Sequence, residues 1–550
     1  MSSAIPGPPR VRRLPLAGVL RVGRPSDIWF KPALSVVASV APLNLTLAAL
    51  GRLDLAMYTM AGSLCALYAH NRPYAARARA LAWVVLGMLG GLAVALVTAS
   101  LTTDAVVLVT VGALLAAVQK VLCDATRIGP PGHLIFAFIS SASLFAPGTL
   151  GQVPGHLALA ATGGAWAWLV GMAPGLVRPH GPERRATAHA LNAVAAYAGT
   201  RGGGEGAARA RAAAVAAVHG TWEVLLSTGA RSAPRRALER LVVRAEIALA
   251  APAATEPERL RGWARELRGN GPVPRPDDLA DAADELLGME AELAFGKRSL
   301  LRRLGPLAPI ALRTALGCAL AGYASLALGV GRPYWALVTA ASLYQANVTL
   351  TWSRGVQRVV GNLVGVLVFA AVVPLAHLGK VVLVLCVLAF NFGAEALIGR
   401  NYWLGSICVT PMALLITEFA RFQQSGELIT DRVVDTLVGA LIGFVAAVAV
   451  TNRRAGDRIE HALSAVERAR EHAARVLARD HPEPGALESA RRGLAAAVVD
   501  LRATADTAAG EWWQRALPED RVMPVEHAAH RTLAATVRRQ GLHSLEGARA

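Results

Sequence analysis

The sequence predicts an all-α polytopic membrane protein: about a dozen spanning helices in two six-helix clusters, with water-facing helical regions between and after them. Three observations carry this. The 550-residue chain is 54% hydrophobic and only 17% charged, with a mean hydropathy of +0.41, whereas soluble domains sit near a quarter charged. The missing charge is local, since long stretches carry almost none while others are crowded with Arg and Glu. The uncharged stretches approach the ~20 residues a helix needs to cross a bilayer.

Taken in order, residues 1–30 form a Pro- and Arg-rich arm. Its apolar run from Leu14 to Leu20 is short and interrupted by proline, so it does not read as a cleavable signal peptide. Residues 31–175 hold the first cluster, with spans near 31–50, 55–70, 80–98, 104–120, 132–147 and 156–175. Residues 176–304 are rich in Ala, Arg, Glu and Leu and read as short antiparallel helices broken at Arg201-Gly-Gly-Gly and at Gly269 to Pro276. Residues 305–451 hold the second cluster, with spans near 306–328, 333–350, 358–376, 379–398, 402–418 and 433–451. Residues 452–550 read as a second helical region, broken at His481 to Gly485 and near Pro518.

Orientation follows from Lys and Arg in the short loops. Arg10, Arg12, Arg13, Arg21, Arg24 and Lys31 keep the arm in the cytoplasm, and alternation then puts Arg72, Arg77, Arg79, Lys120 and Arg127 inside. In the second cluster Arg354, Arg358, Arg400, Arg453 and Arg454 also fall inside, whereas Arg332, Lys380, Arg421 and Arg432 fall outside. Both termini and both helical regions are thus expected in the cytoplasm. The net charge of +18 is explained by segments facing the anionic inner leaflet, and no nucleic-acid-binding motif accompanies it. The expected partner is the lipid bilayer, not nucleic acid; whether copies form a homo-oligomer is left open.

Cys65, Cys123, Cys318, Cys386 and Cys408 lie in or beside apolar segments without a CxxC pair and read as small apolar residues. The glycines at 202–204 lack the Lys-Ser/Thr of a phosphate loop. His527 and His530 have no ligand constellation around them. No cofactor, metal site or enzyme motif is expected.

The second cluster repeats itself. Arg332-Pro-Tyr-Trp recurs as Arg400-Asn-Tyr-Trp, and the eleven residues from Arg358 match those from Arg432 at seven positions, in the same order. The unit is three spans, so the two units must lie in opposite orientations, the inverted repeat of many transporters. A fainter match aligns Gly51, Arg52, Ala56, Thr59 and Ala61 with Gly331, Arg332, Ala336, Thr339 and Ala341.

The segments Tyr334 to Ala341, Arg354 to Gly361 with Gly365, and Arg432 to Gly439 resemble the fusaric-acid-resistance-like, or aromatic acid exporter, family of membrane proteins. The resemblance implies alternating six-span clusters and cytoplasmic helices, and export of small organic, often aromatic, acids. It also implies distant kinship with plant organic-anion channels, so a channel stands beside the carrier. A scaffold or sensor acting through the soluble helices is the reading from another class.

An ionisable side chain in a span is costly and therefore a functional candidate. Arg358 opens a Gly-rich span and has the fork to hold a carboxylate; the competing reading is a positive-inside anchor beside Arg354. The repeat puts Arg358 and Arg400 at the inner mouth of an anion path and Arg332 and Arg432 at the outer mouth. Arg432 has the alternative of pairing with Asp431 or Asp435. Asp435 reads as a proton site or as an ion-pair partner of Arg358 or Arg432. Glu395 reads as a second acidic site or as an interfacial residue beside Arg400. Gly361, Gly365, Gly439 and Gly443 are spaced for close helix crossing. Tyr334, Trp335, Tyr402 and Trp403 belong either to an interfacial aromatic belt or to a stacking surface for substrate.

Overall fold

A computed structural model describes residues 14, 16–25, 28–200, 205–227, 232–269, 271–274, 304–450, 455–480, 484–509 and 519–547. Arg10, Arg12, Arg13, the glycines at 202–204, Arg453 and Arg454 lie outside these. Among the described residues every regular element is helical.

The first cluster runs through α1 (Phe30–Ala49), α2 (Ala56–Ser63, flanked by the 3-10 turns Leu53–Leu55 and Leu64–Leu67), α3 (Tyr74–Leu101), α4 (Ala105–Thr126), α5 (Leu134–Leu144) and α6 (Val153–Met172), ending in the single turn α7 (Pro174–Val177). There follow α8 (Gly181–Ala198), α9 (Glu205–Leu226), α10 (Ala233–Ala250) and α11 (Pro257–Arg268). The second cluster comprises α12 (Ala308–Ala327), α13 (Tyr334–Leu343), α14 (Val348–Ala376), α15 (Lys380–Ile398), α16 (Tyr402–Thr417) and α17 (Ser425–Ala449). The chain closes with α18 (Ala455–Leu477), α19 (Pro484–Ala509) and α20 (Glu519–Gly547).

Each expected span has a helix, and among the described residues eight helical runs are long and apolar enough to cross a membrane: α1, α3, α4, Leu150–Val177, α12, α14, α15 and α17. The second and fifth elements of each cluster are shorter than the apolar stretches that the sequence marks out. At 1.5 Å per residue, the ten residues of α13 reach only about 15 Å, half of a ~30 Å hydrocarbon core. Apolar character runs on in the sequence where the helix does not. The backbone leaves α13 at Tyr344, and Asn347 restarts it as the N-cap of α14, its side chain accepting the Leu350 N–H at 2.8 Å. The start of α14 therefore lies well before the expected 358, and α17 likewise starts before 433. The charged residues of both helices are carried into the bundle.

Packing within the second cluster exchanges helices between the repeat units: α13 lies along α17, and α14 along α16. A Cβ built on Gly439 would stand 2.5 Å from the Ala336 carbonyl oxygen, and one on Gly443 3.0 Å from Leu343. On the other side, a Cβ on Gly361 would stand 2.5 Å from the Trp403 carbonyl oxygen, and one on Gly365 2.7 Å from Thr410. In both pairs the residue numbers rise together, so the partners run parallel, as an inverted repeat with alternating helix directions requires. Lipid offers apolar helices no hydrophobic reason to associate, so this backbone-to-backbone approach is what binds them.

The first cluster repeats the scheme, α2 packing on α6 and α3 on α5. Here Gly163 approaches the Thr59 carbonyl, consistent with the faint Thr59–Thr339 alignment. The clusters dock through α4 against α12 and α1 against α15. Thr110 and Tyr323 share a hydrogen bond of 2.7 Å across that seam, and His133 one of 3.0 Å with the Ala341 carbonyl.

The charged helices build separate cores. Leu191, Val194, Leu238 and Leu241 are fully buried among α8–α11, as are Val466, Leu494 and Leu501 among α18–α20. The two groups touch through α9 with α19 and α10 with α20.

Candidate functional site

Where α14 and α17 cross, Asn362 donates to the Thr436 hydroxyl at 2.6 Å. These two residues occupy the same position of the repeat, so each touches its own image and the contact marks the pseudo-two-fold axis. The Asn362 carbonyl oxygen accepts from Thr410 at 3.0 Å and from Arg432 Nε at 3.2 Å. Arg432 is 2% exposed, and its guanidinium lies 3.8 Å above the Trp335 ring. Arg358, 5% exposed and one turn before Asn362 on α14, donates to the Tyr402 hydroxyl at 3.3 Å. Arg354 lies 3.9 Å over that same ring. The repeat relation holds here too: an arginine of each long helix meets an aromatic residue at the start of the other unit's short helix.

Other buried arginines show what a structural role looks like. Arg77 is 4% exposed, and its guanidinium donates to the carbonyls of Gly171 at 3.0 Å and Ala66 at 3.3 Å. Arg358 and Arg432 instead face rings, a hydroxyl and an amide. Among the described residues neither is paired with a carboxylate, and Arg358 Nε has no hydrogen-bond partner. A guanidinium taken from water without a paired counter-charge is strongly unfavourable, and here two meet at one crossing with no carboxylate in contact with either among the described residues.

Asp435 lies one turn beyond Arg432 and is fully buried. It accepts from the Ser325 hydroxyl at 2.5 Å, while its Oδ2 has no partner. The expected ion pair with Arg358 or Arg432 is not formed. Asp431 does not pair with Arg432 either; it binds Arg332 at 2.7 Å, and Arg332 also holds Gln423 at 2.5 Å.

The two-mouth arrangement is corrected accordingly. Arg358 and Arg432 meet inside the bundle, because both helices begin earlier than hydropathy indicates, while Arg332 and Arg400 stay near the ends. Arg400 is exposed and Glu395 half-buried with no ion pair among the described residues, and neither joins the site. Tyr334, Trp335 and Tyr402 are buried within the protein.

The described part of the N-terminal arm lies across one end of the site. Val19 O accepts from the side chains of Gln357 at 2.9 Å and Asn401 at 3.0 Å, Leu20 O accepts from Trp403 Nε1 at 3.1 Å, and Gly23 N–H donates to Arg400 O at 2.9 Å.

The sequence reading missed Asn362, Thr410, Thr436 and Ser325. A signal for two of them was present: Asn362 and Thr436 are polar residues at equivalent repeat positions inside spans.

Comparison with known proteins falls on this crossing. Residues 319–446 match the family model described as fusaric acid resistance protein-like. The matched stretch covers α13 to α16 whole, most of α17 and the second half of α12 from residue 319, with every residue of the arginine site; α1–α6 lie outside it. The chain is also 31% identical over 137 residues to the uncharacterized membrane protein YvaC of Bacillus subtilis (strain 168). That alignment takes 24% of this chain and spans only 22% of the relative's length. No solved structure matches significantly.

Proposed function

We propose that this protein is a secondary transporter exporting small organic, often aromatic, carboxylic acids. Residues 305–451 are its transport unit and residues 31–175 a scaffold of the same design; the termini and charged helices lie on the cytoplasmic side of a bacterial plasma membrane. One observation carries the reading: Arg358 and Arg432 are buried at the repeat axis with no carboxylate partner among the described residues. A substrate carboxylate supplies the missing charge, taking bidentate hydrogen bonds from guanidinium groups, while the Trp335 and Tyr402 rings exchange their cation contacts for the substrate's aromatic face. In the absence of substrate the Trp335 ring covers the Arg432 guanidinium and the Tyr402 hydroxyl occupies Arg358, which holds the path closed. Asp435, one turn from Arg432 with one oxygen free, is the site through which a proton couples to anion movement. The inverted repeat supports alternating access around a fixed site near mid-membrane.

The test is flux of radiolabelled hydroxylated aromatic acids in proteoliposomes under an imposed pH gradient, with wild type beside Arg358→Gln. Saturable flux in wild type that is lost in a folded Arg358→Gln supports the site. Flux that persists in the variant, or is absent from a correctly inserted wild type, removes it.

A further inference from the structure

Outside the membrane, α9 and α10 of the first helical region meet α19 and α20 of the second around a cleft of about 780 Å³, including its open mouth. That falls in the range of small-molecule sites, ~300–1,000 Å³. The apolar walls include Val215, Val218, Leu249 and Leu533. The cleft is also lined by arginines, and the buried floor is a charge network joining the two regions. Arg491 is held by Glu246 of α10 and by Glu488, and Trp222 donates to Glu246 at 3.0 Å.

Arg492 stands apart in this network. It is 4% exposed, lies 3.6 Å over the Trp222 ring, and uses Nε on Glu488. Its Nη1 and Nη2 are buried and have no hydrogen-bond partner. Those two nitrogens carry four N–H donors in a planar fork, and leaving buried donors unmade is costly. Nothing in the described chain fills this need, although Arg492 lines the cleft.

We propose that this cleft binds a small monocarboxylate with an aromatic or other apolar body. The carboxylate takes the Arg492 fork and the body lies on the Val215–Leu533 walls. Charge selects the class. Arg211, Arg491 and Arg492 line the cleft with one carboxylate, Glu246, and Glu488 binds Arg491 and Arg492 beneath it, which leaves one positive charge in this set; Arg211 itself donates to the Tyr197 hydroxyl. A monoanion neutralises it, whereas a doubly charged phosphate leaves an excess negative charge beside two glutamates. Because the walls come from both helical regions, the ligand clamps one to the other. The cleft is remote in the chain from the membrane site, and the proposal does not depend on the transport reading.

The experiment is isothermal titration of the full chain in detergent with three probes: indole-3-acetate, its uncharged amide isostere indole-3-acetamide, and inorganic phosphate. Indole-3-acetate binding is expected, with the amide and phosphate weaker by about ten- to a hundredfold, the value of a charged hydrogen bond. Arg492→Gln and the cleft-filling Leu533→Trp, which leaves the charge network whole, should each weaken the acid by at least about tenfold. The double variant Arg358→Gln, Arg432→Met should retain that binding. Unchanged binding in Leu533→Trp, loss in the membrane double variant alone, equal binding of acid and amide, or no binding of indole-3-acetate would overturn the proposal.

Discussion

Replacing Arg432 by methionine separates a transport residue from a structural one. The substitution removes the stacking on Trp335, worth ~2 kcal/mol when desolvated. It also removes the 3.2 Å charge-assisted bond to Asn362, about 1.5–3 kcal/mol. Against this stands relief of a charge within a span, ~2.5–3.5 kcal/mol on insertion scales. Asn362 keeps Thr410 and Thr436, so no buried amide is orphaned. The terms nearly cancel, and unfolding of purified Arg432→Met should differ from wild type by no more than about 2 kcal/mol. Transport should fall by about a hundredfold or more, because two charge-assisted bonds to the carboxylate are lost together. Thermal unfolding followed by tryptophan emission and proteoliposome flux read the two quantities on one preparation. A destabilisation of ~4 kcal/mol or more, the value of breaking a structural buried pair, or flux within about twofold of wild type would refute the reasoning.

Further outcomes follow from the same geometry. Asn362→Asp places a carboxylate between the two guanidiniums; it should raise thermal stability while abolishing anion flux, and a variant that still transports contradicts the site. Gly439→Ala drives a methyl against the Ala336 carbonyl and should cost about 1–3 kcal/mol by thermal unfolding, whereas Gly90→Ala, with nothing within 4 Å of the new Cβ, should be neutral or stabilising. In α20, burial first and Arg211 second push His530 down from 6.5 to about 4. The folded state therefore holds it neutral while the unfolded state takes up a proton below about 6.5. Stability is lost as pH falls from 6.5 toward 4, by about 1 kcal/mol between pH 7 and 5.5. Hydrogen exchange of α20 at the two pH values measures this, and His530→Leu should remove the dependence.

How much of this was legible in the sequence depends on what each residue's environment requires. Hydropathy located a helix for every apolar run, and the recurrence of Arg-Val-Val and Tyr-Trp brought out the repeat. Hydropathy could not tell that Tyr334 to Leu343 is a short, wholly buried helix, since a half-length helix and a full span share the same composition. It also set Arg358 at the very edge of a span and Arg432 just outside one, because their stabilising contacts, Tyr402 and Trp335, lie far away in sequence and become neighbours only in the fold. For the same reason Asn362 and Thr410 read as unremarkable polar residues until helix packing brought them together. Asp431 and Asp435 are one turn apart, and which of them binds an arginine is decided by the side of α17 that faces Arg332.

The two ends of the repeat are fastened differently. At one, Arg332 grips Asp431. Their images at the other are Arg400 and Gln357, and an amide cannot take the carboxylate's part. There the main chain of Val19 and Gly23 bridges the gap, one residue bonding Gln357 and the other Arg400. A fastening by partly exposed charge loosens with ionic strength; one made of peptide groups does not. Two ends cut to one pattern thus answer differently to salt, the Arg332–Asp431 end loosening and the Val19–Gly23 end holding.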